Sequence, residues 1–514
     1  MRYIIIILGL LCFELQAQSN LDKIRSFIPT ADALFLEQVT KSHIPGLVYG
    51  IMYQGQLIHT KAIGQAQLET KISAANDIDF RIASMSKSFA SMAILQLRDA
   101  GKLKLDDPVN LYIPELKQTK NLTKDAPEIT IRHLLTHGAG FPEDNPWGDR
   151  QLGITDQAFK QMLSKGITFS ANPGQYYEYS NMGFAMLGLI IKNVSGMSYQ
   201  KFITERIFKP LGMHDTYWEY AEIPAQKLAH GYRWLNNAWV KQPMEHDGAY
   251  GAMGGLITTL NDFSKYVKLH TNAWPERDEP ESGPLKRSSI REMQFPWNMN
   301  EFIPAYTYPN GRKAPAYLAY GYGLSFLKDD LGRRSIGHSG GLPGFGSNWR
   351  MYPDYELAII SFANVTYAPA SYINLKVMDS LLATTQLKPR PLLASAILKQ
   401  RQAELMRLLP EWNHAESSGI FAENFFLDYF PNMLRAESTT LFNKIGRIIK
   451  VNEIVPENNL RGTFVIEGEK GALEVYFTLS PENPPLIQEY HIQGSRLSLF
   501  LFFNFFISSK GLKT

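Results

Sequence analysis

The strand-like stretches of this chain lie on either side of a long helical segment, and that arrangement narrows the folds open to it. Gly46 to Gln67 carries two β-rich runs around Gln54-Gly55, the pattern of a hairpin. Phe80 to Ala100 places Phe89, Met92, Ala93, Leu97 and Ala100 at helical spacing, with Gly101 positioned to end the helix. A helical, loop-rich middle without repeats runs on to about residue 270. Strand signals return at Tyr320–Leu327 and Asn348–Tyr352. There Asp354-Tyr355 turns the chain into the apolar run Leu357–Phe362, and Ala368–Thr385 reads as a helix. Burying these strands requires both flanks to pair in one antiparallel sheet, with the helical middle set apart as a lobe. The predicted class is α+β.

At 514 residues the chain exceeds one ordinary domain, so two folded units are expected. The prolines of Leu387-Lys388-Pro389-Arg390-Pro391 interrupt either periodicity. Residues 387–400 are accordingly read as a linker between a main domain (18–386) and a smaller α+β domain (401–514). The smaller one carries a helical stretch, Glu423–Phe442, and alternating runs at Gly446–Ile454, Leu460–Glu467 and Leu473–Leu479. Leu497–Ile507 is apolar but too short to span a bilayer, and is expected to be a buried final strand.

The N-terminus has Arg2, the apolar stretch Ile4–Phe13 and a small residue at Ala17, the layout of a secretory signal peptide over residues 1–17 cleaved after Ala17. Cys12 is the only cysteine. Leu11 precedes it where a lipoprotein site wants a small residue, which disfavours lipidation. Removal of the segment leaves no thiol for a disulfide, a cysteine nucleophile or a thiolate metal site. The expected location is periplasmic or secreted, with no stable membrane insertion after cleavage. A net charge of +3 from 52 basic and 49 acidic residues, without long runs of one sign, argues against a nucleic-acid partner.

Three short motifs carry chemistry. Ser84-Met85-Ser86-Lys87 opens the first buried helix, so serine and lysine face the same side one turn apart. A serine hydroxyl needs a base, and a buried lysine with a lowered pKa can be one. S-x-x-K also occurs at Ser198 and Ser325, but Ser198 reads as a helix N-cap and Ser325 lies in a strand pattern. Tyr179-Ser180-Asn181 follows the Asn172-Pro173-Gly174 turn and precedes the apolar helix Met182–Ile191, so a loop presents a phenol and an amide. His338-Ser339-Gly340-Gly341 occurs once, after the turn at Gly332-Arg333-Arg334, and its glycines let a substrate lie close to the chain.

The order Ser84-x-x-Lys87, Tyr179-x-Asn181, His338-Ser339-Gly340, with gaps of 95 and 159 residues, resembles the class C β-lactamase and serine DD-peptidase superfamily. Supporting segments are His133-Leu134-Leu135-Thr136-His137-Gly138, Gly251-Ala252-Met253-Gly254-Gly255-Leu256, Tyr320-Gly321-Tyr322-Gly323 and Gly341-Leu342-Pro343-Gly344. The resemblance covers about residues 30–385. It implies a β-lactamase/transpeptidase-like fold, a five-stranded antiparallel sheet beside an all-α lobe. It also implies acylation of Ser84, with Lys87 and Tyr179 sharing proton transfer. Asn181, His338, Ser339, Gly340 and Gly341 would bind substrate, and the backbone N–H groups of Ser84 and Gly341 would form the oxyanion hole. True class C enzymes usually carry lysine where His338 stands. A histidine resembles D-stereospecific peptidases and some esterases, and a neutral imidazole holds a carboxylate less firmly.

The expectation is an exported, cofactor-free and metal-free serine hydrolase. It would act on a small-molecule or peptide substrate, cell-wall derived in one version, through amide, D-amino-acid peptide or ester bonds. The competing expectation is a catalytically idle sensor or binder of cell-wall peptides or β-lactams. His133 and His137 have no acidic residue between them and a glycine directly after, so they read as turn residues rather than metal ligands. His246-Asp247 could line the cleft, but a lone pair in a loop reads as solvent-facing.

Overall fold

A computed structural model describes residues 2–495, with side chains from residue 19 onward apart from Gln118. The chain divides at Pro389/Arg390 into two compact units.

In the first unit, helix α1 (Arg2–Lys41) is continuous through the segment read as a signal peptide. Ile24, Phe27, Ala31 and Phe35 recur every three or four residues and are buried, which gives α1 one apolar stripe. The hairpin β1 (Gly46–Tyr53) and β2 (Gln56–Gln67) turns at Gln54-Gly55, both at positive φ, and is followed by the short β3 (Ile72–Ser73). Helix α2 (Lys87–Asp99) is buried along most of its length, and Gly101 stands just past its end at φ +69°. Helix α3 (Asn181–Ser195) starts one residue after its cap, Ser180, whose hydroxyl accepts from the N–H of Gly183 at 3.3 Å.

Six further strands follow the lobe: β4 (Asn298–Thr307), β5 (Lys313–Tyr320), β6 (Ser325–Asp329), β7 (Arg334–Leu342), β8 (Phe345–Tyr352) and β9 (Leu357–Ala363). They join the hairpin in one antiparallel sheet of order β3-β2-β1-β9-β8-β7-β6-β5-β4. The two flanks meet where β1 pairs β9, with Leu47 opposite Ala363. Helices α1 and α4 (Ala370–Thr385) pack on one face of the β1/β9 region. The other face packs on the lobe and buries α2, α3 and Trp349 in the main core.

The sheet is larger than the five strands expected. β4 is exposed on both faces for most of its length, so it shows no alternation from which a strand could be read. Tyr320–Leu327 is not one strand either. It breaks into β5 and β6 around Gly321–Leu324, where the backbone packs so closely that a Cβ on Gly321 would lie 2.1 Å from the carbonyl oxygen of Met293. β6 pairs β7 only from Ser325/Gly337 to Lys328/Arg334, so the His338–Leu342 end of β7 keeps a free edge on that side.

In the second unit, helix α5 (Ala396–Leu408) begins inside the span read as a linker, because Ser395 caps it by accepting from the N–H of Leu398 at 3.3 Å. The helical stretch expected at Glu423–Phe442 is broken ahead of Pro431, which opens α6 (Pro431–Ile445) as its first residue. Strands β10 (Ile448–Val451), β11 (Val455–Asn458), β12 (Arg461–Gly468), β13 (Gly471–Leu479) and β14 (Ile487–Gly494) form an antiparallel sheet that shares a core with α5 and α6. The final strand expected at Leu497–Ile507 lies outside the described residues. Among the described residues no helix is long and apolar enough to cross a membrane.

Candidate active site

The Ser84 tetrad is held on three sides. The N–H of Ile82 donates to the carbonyl of Leu256 at 3.0 Å, the N–H of Leu256 donates to Ser86 Oγ at 3.0 Å, and Ser86 Oγ donates to the carbonyl of Ala83 at 2.7 Å. Ala83 stands at φ +51°, a region that costs a residue with a Cβ energy, so the chain enters the nucleophile through a strained turn.

Lys87 is fully buried, and its ammonium reaches three acceptors: Ser84 Oγ at 2.9 Å, Asn181 Oδ1 at 2.7 Å and the carbonyl of Met253 at 2.8 Å. Burial pushes its pKa down to about 7, although the carboxylates of Asp144 and Asp149 pull the other way. The lysine is thus held in place while being poised to lose its charge near neutral pH.

Asn181 is the first residue of α3. Its side-chain NH2 donates to Asn145 Oδ1 at 3.0 Å, which leaves Oδ1 for Lys87. Asp144 accepts from the N–H groups of Asn181 at 2.6 Å and Met182 at 2.9 Å, a carboxylate on a helix N-terminus. Tyr179 lies with its ring centroid 4.8 Å from Lys87 Nζ, near enough to Ser84 for the serine hydroxyl to act on its phenol, and is held by burial well above the ordinary tyrosine pKa. Beneath it, 4.2 Å between ring centroids, lies His137 at φ +55°, whose Nδ1 accepts from the N–H of Ser180 at 3.1 Å. His137 is therefore a support under Tyr179. His133 works as a cap, its Nδ1 accepting from the N–H of Thr130 at 3.2 Å.

His338 sits on β7 opposite Trp349. Its Nδ1–H donates to the carbonyl of Ser339, and its Nε2 accepts from the hydroxyl of Tyr320 at 2.7 Å. Burial pushes its pKa down to about 3, so the imidazole is neutral with both nitrogens engaged. Ser339 is exposed, and its Oγ accepts from Asn348 Nδ2 at 3.0 Å. A Cβ on Gly340 would lie 2.1 Å from the carbonyl oxygen of Ile82, so the absence of a side chain lets β7 run against the turn carrying Ser84. A Cβ on Gly341 would lie 2.8 Å from the ring of Tyr367.

Ser84, Lys87 and Asn181 thus form one hydrogen-bonded set with the ring of Tyr179 against it, Gly340 and Gly341 alongside and His338 with its ring 6.4 Å from that of Tyr179. Several contributors carry no motif of their own. Asp144 positions Asn181, the Met253 carbonyl accepts a hydrogen bond from Lys87, and Tyr367 donates to Asp149 at 2.7 Å. The segments around Met253 and Tyr320 stood out in the sequence; Asp144, Asp149 and Tyr367 gave no signal there. Asp247 departs from the solvent-facing reading: it is half-buried and accepts from Tyr199 at 2.8 Å and Gln200 at 2.7 Å.

Comparison with known proteins follows the same lines. The family described as Beta-lactamase matches residues 31–381. "Protein flp" of Staphylococcus aureus (strain NCTC 8325 / PS 47) is 28% identical over 356 residues, 68% of this chain and 66% of that protein. "Beta-lactamase-like protein 2" of Dictyostelium discoideum is 29% identical over 252 residues, 48% of this chain and 46% of that protein. Among solved structures, the octameric penicillin-binding protein homologue from Pyrococcus abyssi has a TM-score of 0.58 at 22% identity, covering 91% of this chain and 98% of that one. A class C beta lactamase from Rhodobacter sphaeroides has a TM-score of 0.53 at 20% identity, covering 69% of this chain and 98% of that one. At such identities the structural likeness speaks for the fold alone. The chain belongs to the beta-lactamase family, with the serine β-lactamase/transpeptidase-like fold.

Proposed function

We propose that this chain is an exported serine hydrolase that forms an acyl-enzyme on Ser84 and cleaves amide, D-amino-acid peptide or ester bonds. The observation that carries the reading is the placement of Lys87, fully buried, 2.9 Å from Ser84 Oγ and fixed by Asn181 and the Met253 carbonyl. With the amine near pKa 7 and the phenol held far higher, the neutral amine accepts the Ser84 proton as Oγ attacks the substrate carbonyl carbon. The carbonyl electrons move onto oxygen, and the N–H groups of Ser84 and Gly341 donate hydrogen bonds to that oxyanion. Tyr179, placed beside the same serine, passes a proton to the departing amine or alcohol and is resupplied from the Lys87 ammonium. Water then repeats the sequence on the acyl-serine.

His338 favours peptidase or esterase action over efficient β-lactam hydrolysis. A neutral imidazole with both nitrogens occupied offers no positive charge to the carboxylate of a β-lactam. The test is mass spectrometry of the protein after exposure to D-amino-acid amides, short-chain esters and cephalosporins. A mass increment on the Ser84 peptide, absent in Ser84→Ala, is the expected result. No increment with any acyl donor overturns the reading and leaves the idle-sensor alternative.

A further inference from the structure

Tyr367 stands on the link between β9 and α4, and its hydroxyl donates to Asp149 Oδ2 at 2.7 Å, a contact between residues 218 apart in the chain. It therefore ties the sheet to the lobe at the Gly341 end of β7. On the sheet side the link is pinned. The N–H of Tyr367 donates to the carbonyl of Phe345 at 3.1 Å, the N–H of Thr366 donates to the carbonyl of Tyr232 at 2.8 Å, and Thr366 Oγ1 accepts from the N–H of Gly344 at 2.8 Å. Gly341 and Gly346 face each other across β7 and β8, and a Cβ on Gly346 would lie 2.4 Å from the nitrogen of Ala368. This pair of glycines lets the link cross close to the sheet. Tyr367 itself stands at φ +51°, a conformation that costs a residue with a Cβ energy. On the lobe side Asp149 is 3% exposed and follows the turn Asn145–Gly148, where a Cβ on Gly148 would lie 3.0 Å from the Cβ of Asn181. Tyr367 is 51% exposed, which puts it at the rim.

We infer that Tyr367 is a specificity-determining residue whose ring, tied to Asp149, closes the Gly341 end of the site and restricts the enzyme to substrates with small acyl groups. The inference rests on the acyl-enzyme reading and deepens it. Tyr179 serves the leaving group and has the ring of His338 6.4 Å from its own, so the leaving group lies toward His338. Gly341 is three residues further along β7, about 10 Å away at the usual rise of a strand. The acyl group, on the other side of the carbonyl carbon, runs toward that end and meets the phenol. A bulky acyl group fits only if the bond to Asp149 breaks and the ring swings out. Burial pushes the Asp149 pKa up to about 6, the Tyr367 hydroxyl works against this, and the carboxylate in turn acts on Lys87. Breaking the bond therefore has a second effect on the amine, common to all substrates.

The experiment compares the full chain as wild type, Tyr367→Phe, Tyr367→Ala and Asp149→Ala, and reads ratios of kcat/KM so that the common effect cancels. 4-Nitrophenyl phenylacetate over 4-nitrophenyl acetate varies the acyl group alone, and 1-naphthyl acetate over phenyl acetate varies the leaving group alone. The expected result is an acyl ratio raised about 10-fold or more over wild type in Tyr367→Ala, with a leaving-group ratio that moves less than about 3-fold. Tyr367→Phe and Asp149→Ala, which keep the ring and lose only the bond, should raise the acyl ratio by a smaller factor. They also carry the test if Tyr367→Ala does not fold. An acyl ratio within about 2-fold of wild type in all three variants overturns the inference, whatever happens to the individual rates. So does a change confined to the leaving-group ratio. No turnover of any ester by the wild type overturns the acyl-enzyme reading, and the inference falls with it.

Discussion

The hydroxyl of Tyr320 donates to Nε2 of His338 across 2.7 Å, because the carbonyl of Ser339, which can only accept, takes the Nδ1–H and so fixes the neutral tautomer. Tyr320→Phe leaves that buried nitrogen without a donor. The expected cost is about 1–3 kcal/mol, read as a lower midpoint in urea, together with a fall in kcat/KM as β7 loosens beside the nucleophile. An unchanged midpoint would show that water replaces the hydroxyl.

Removing either reacting group should stop turnover. Ser84→Ala and Lys87→Met are each expected to lower kcat/KM for any ester substrate about 10⁴-fold or more, and the double variant should lose little beyond that, because the two act as a unit. Steady-state rates with a chromogenic ester check this.

The pH dependence follows from the amine. Lys87 accepts a proton only when neutral, so kcat/KM should rise through pH about 7 to a plateau. The same group sets a stability trend. Its folded pKa is depressed, so between about 7 and its unfolded value the unfolded chain holds more protons, and stability rises with pH across that window. Thermal midpoints of wild type relative to Lys87→Met, taken from pH 7 to pH 10, should climb accordingly.

Gly340→Ala sets a methyl 2.1 Å from the backbone oxygen of Ile82, which no side-chain rotation relieves. β7 must move off the turn that carries Ser84. The expectation is a stability loss of about 1–3 kcal/mol and an acylation rate reduced more than substrate affinity. Pre-steady-state kinetics separate the two.

What could be read in advance divides along physical lines. Ser84 and Lys87 are one turn apart, so their shared direction follows from local geometry, and the Ser180 cap behind Tyr179 is equally local. The partners that arrive from elsewhere leave no such trace. The Met253 carbonyl is a backbone atom, Asp144 acts by lying at the start of α3, and Tyr367 comes from beyond the last sheet strand. Strand β1 was legible because it is a short run of buried residues bounded by turns; β4, open to solvent on both sides, offered no pattern.

The pairing of β1 with β9 has a consequence for biogenesis. Leu47 finds its partner only when Ala363 has been made, so the central ladder cannot close on the first half of the chain alone. A chain that ends before β7 therefore lacks the strand that runs against the turn carrying Ser84.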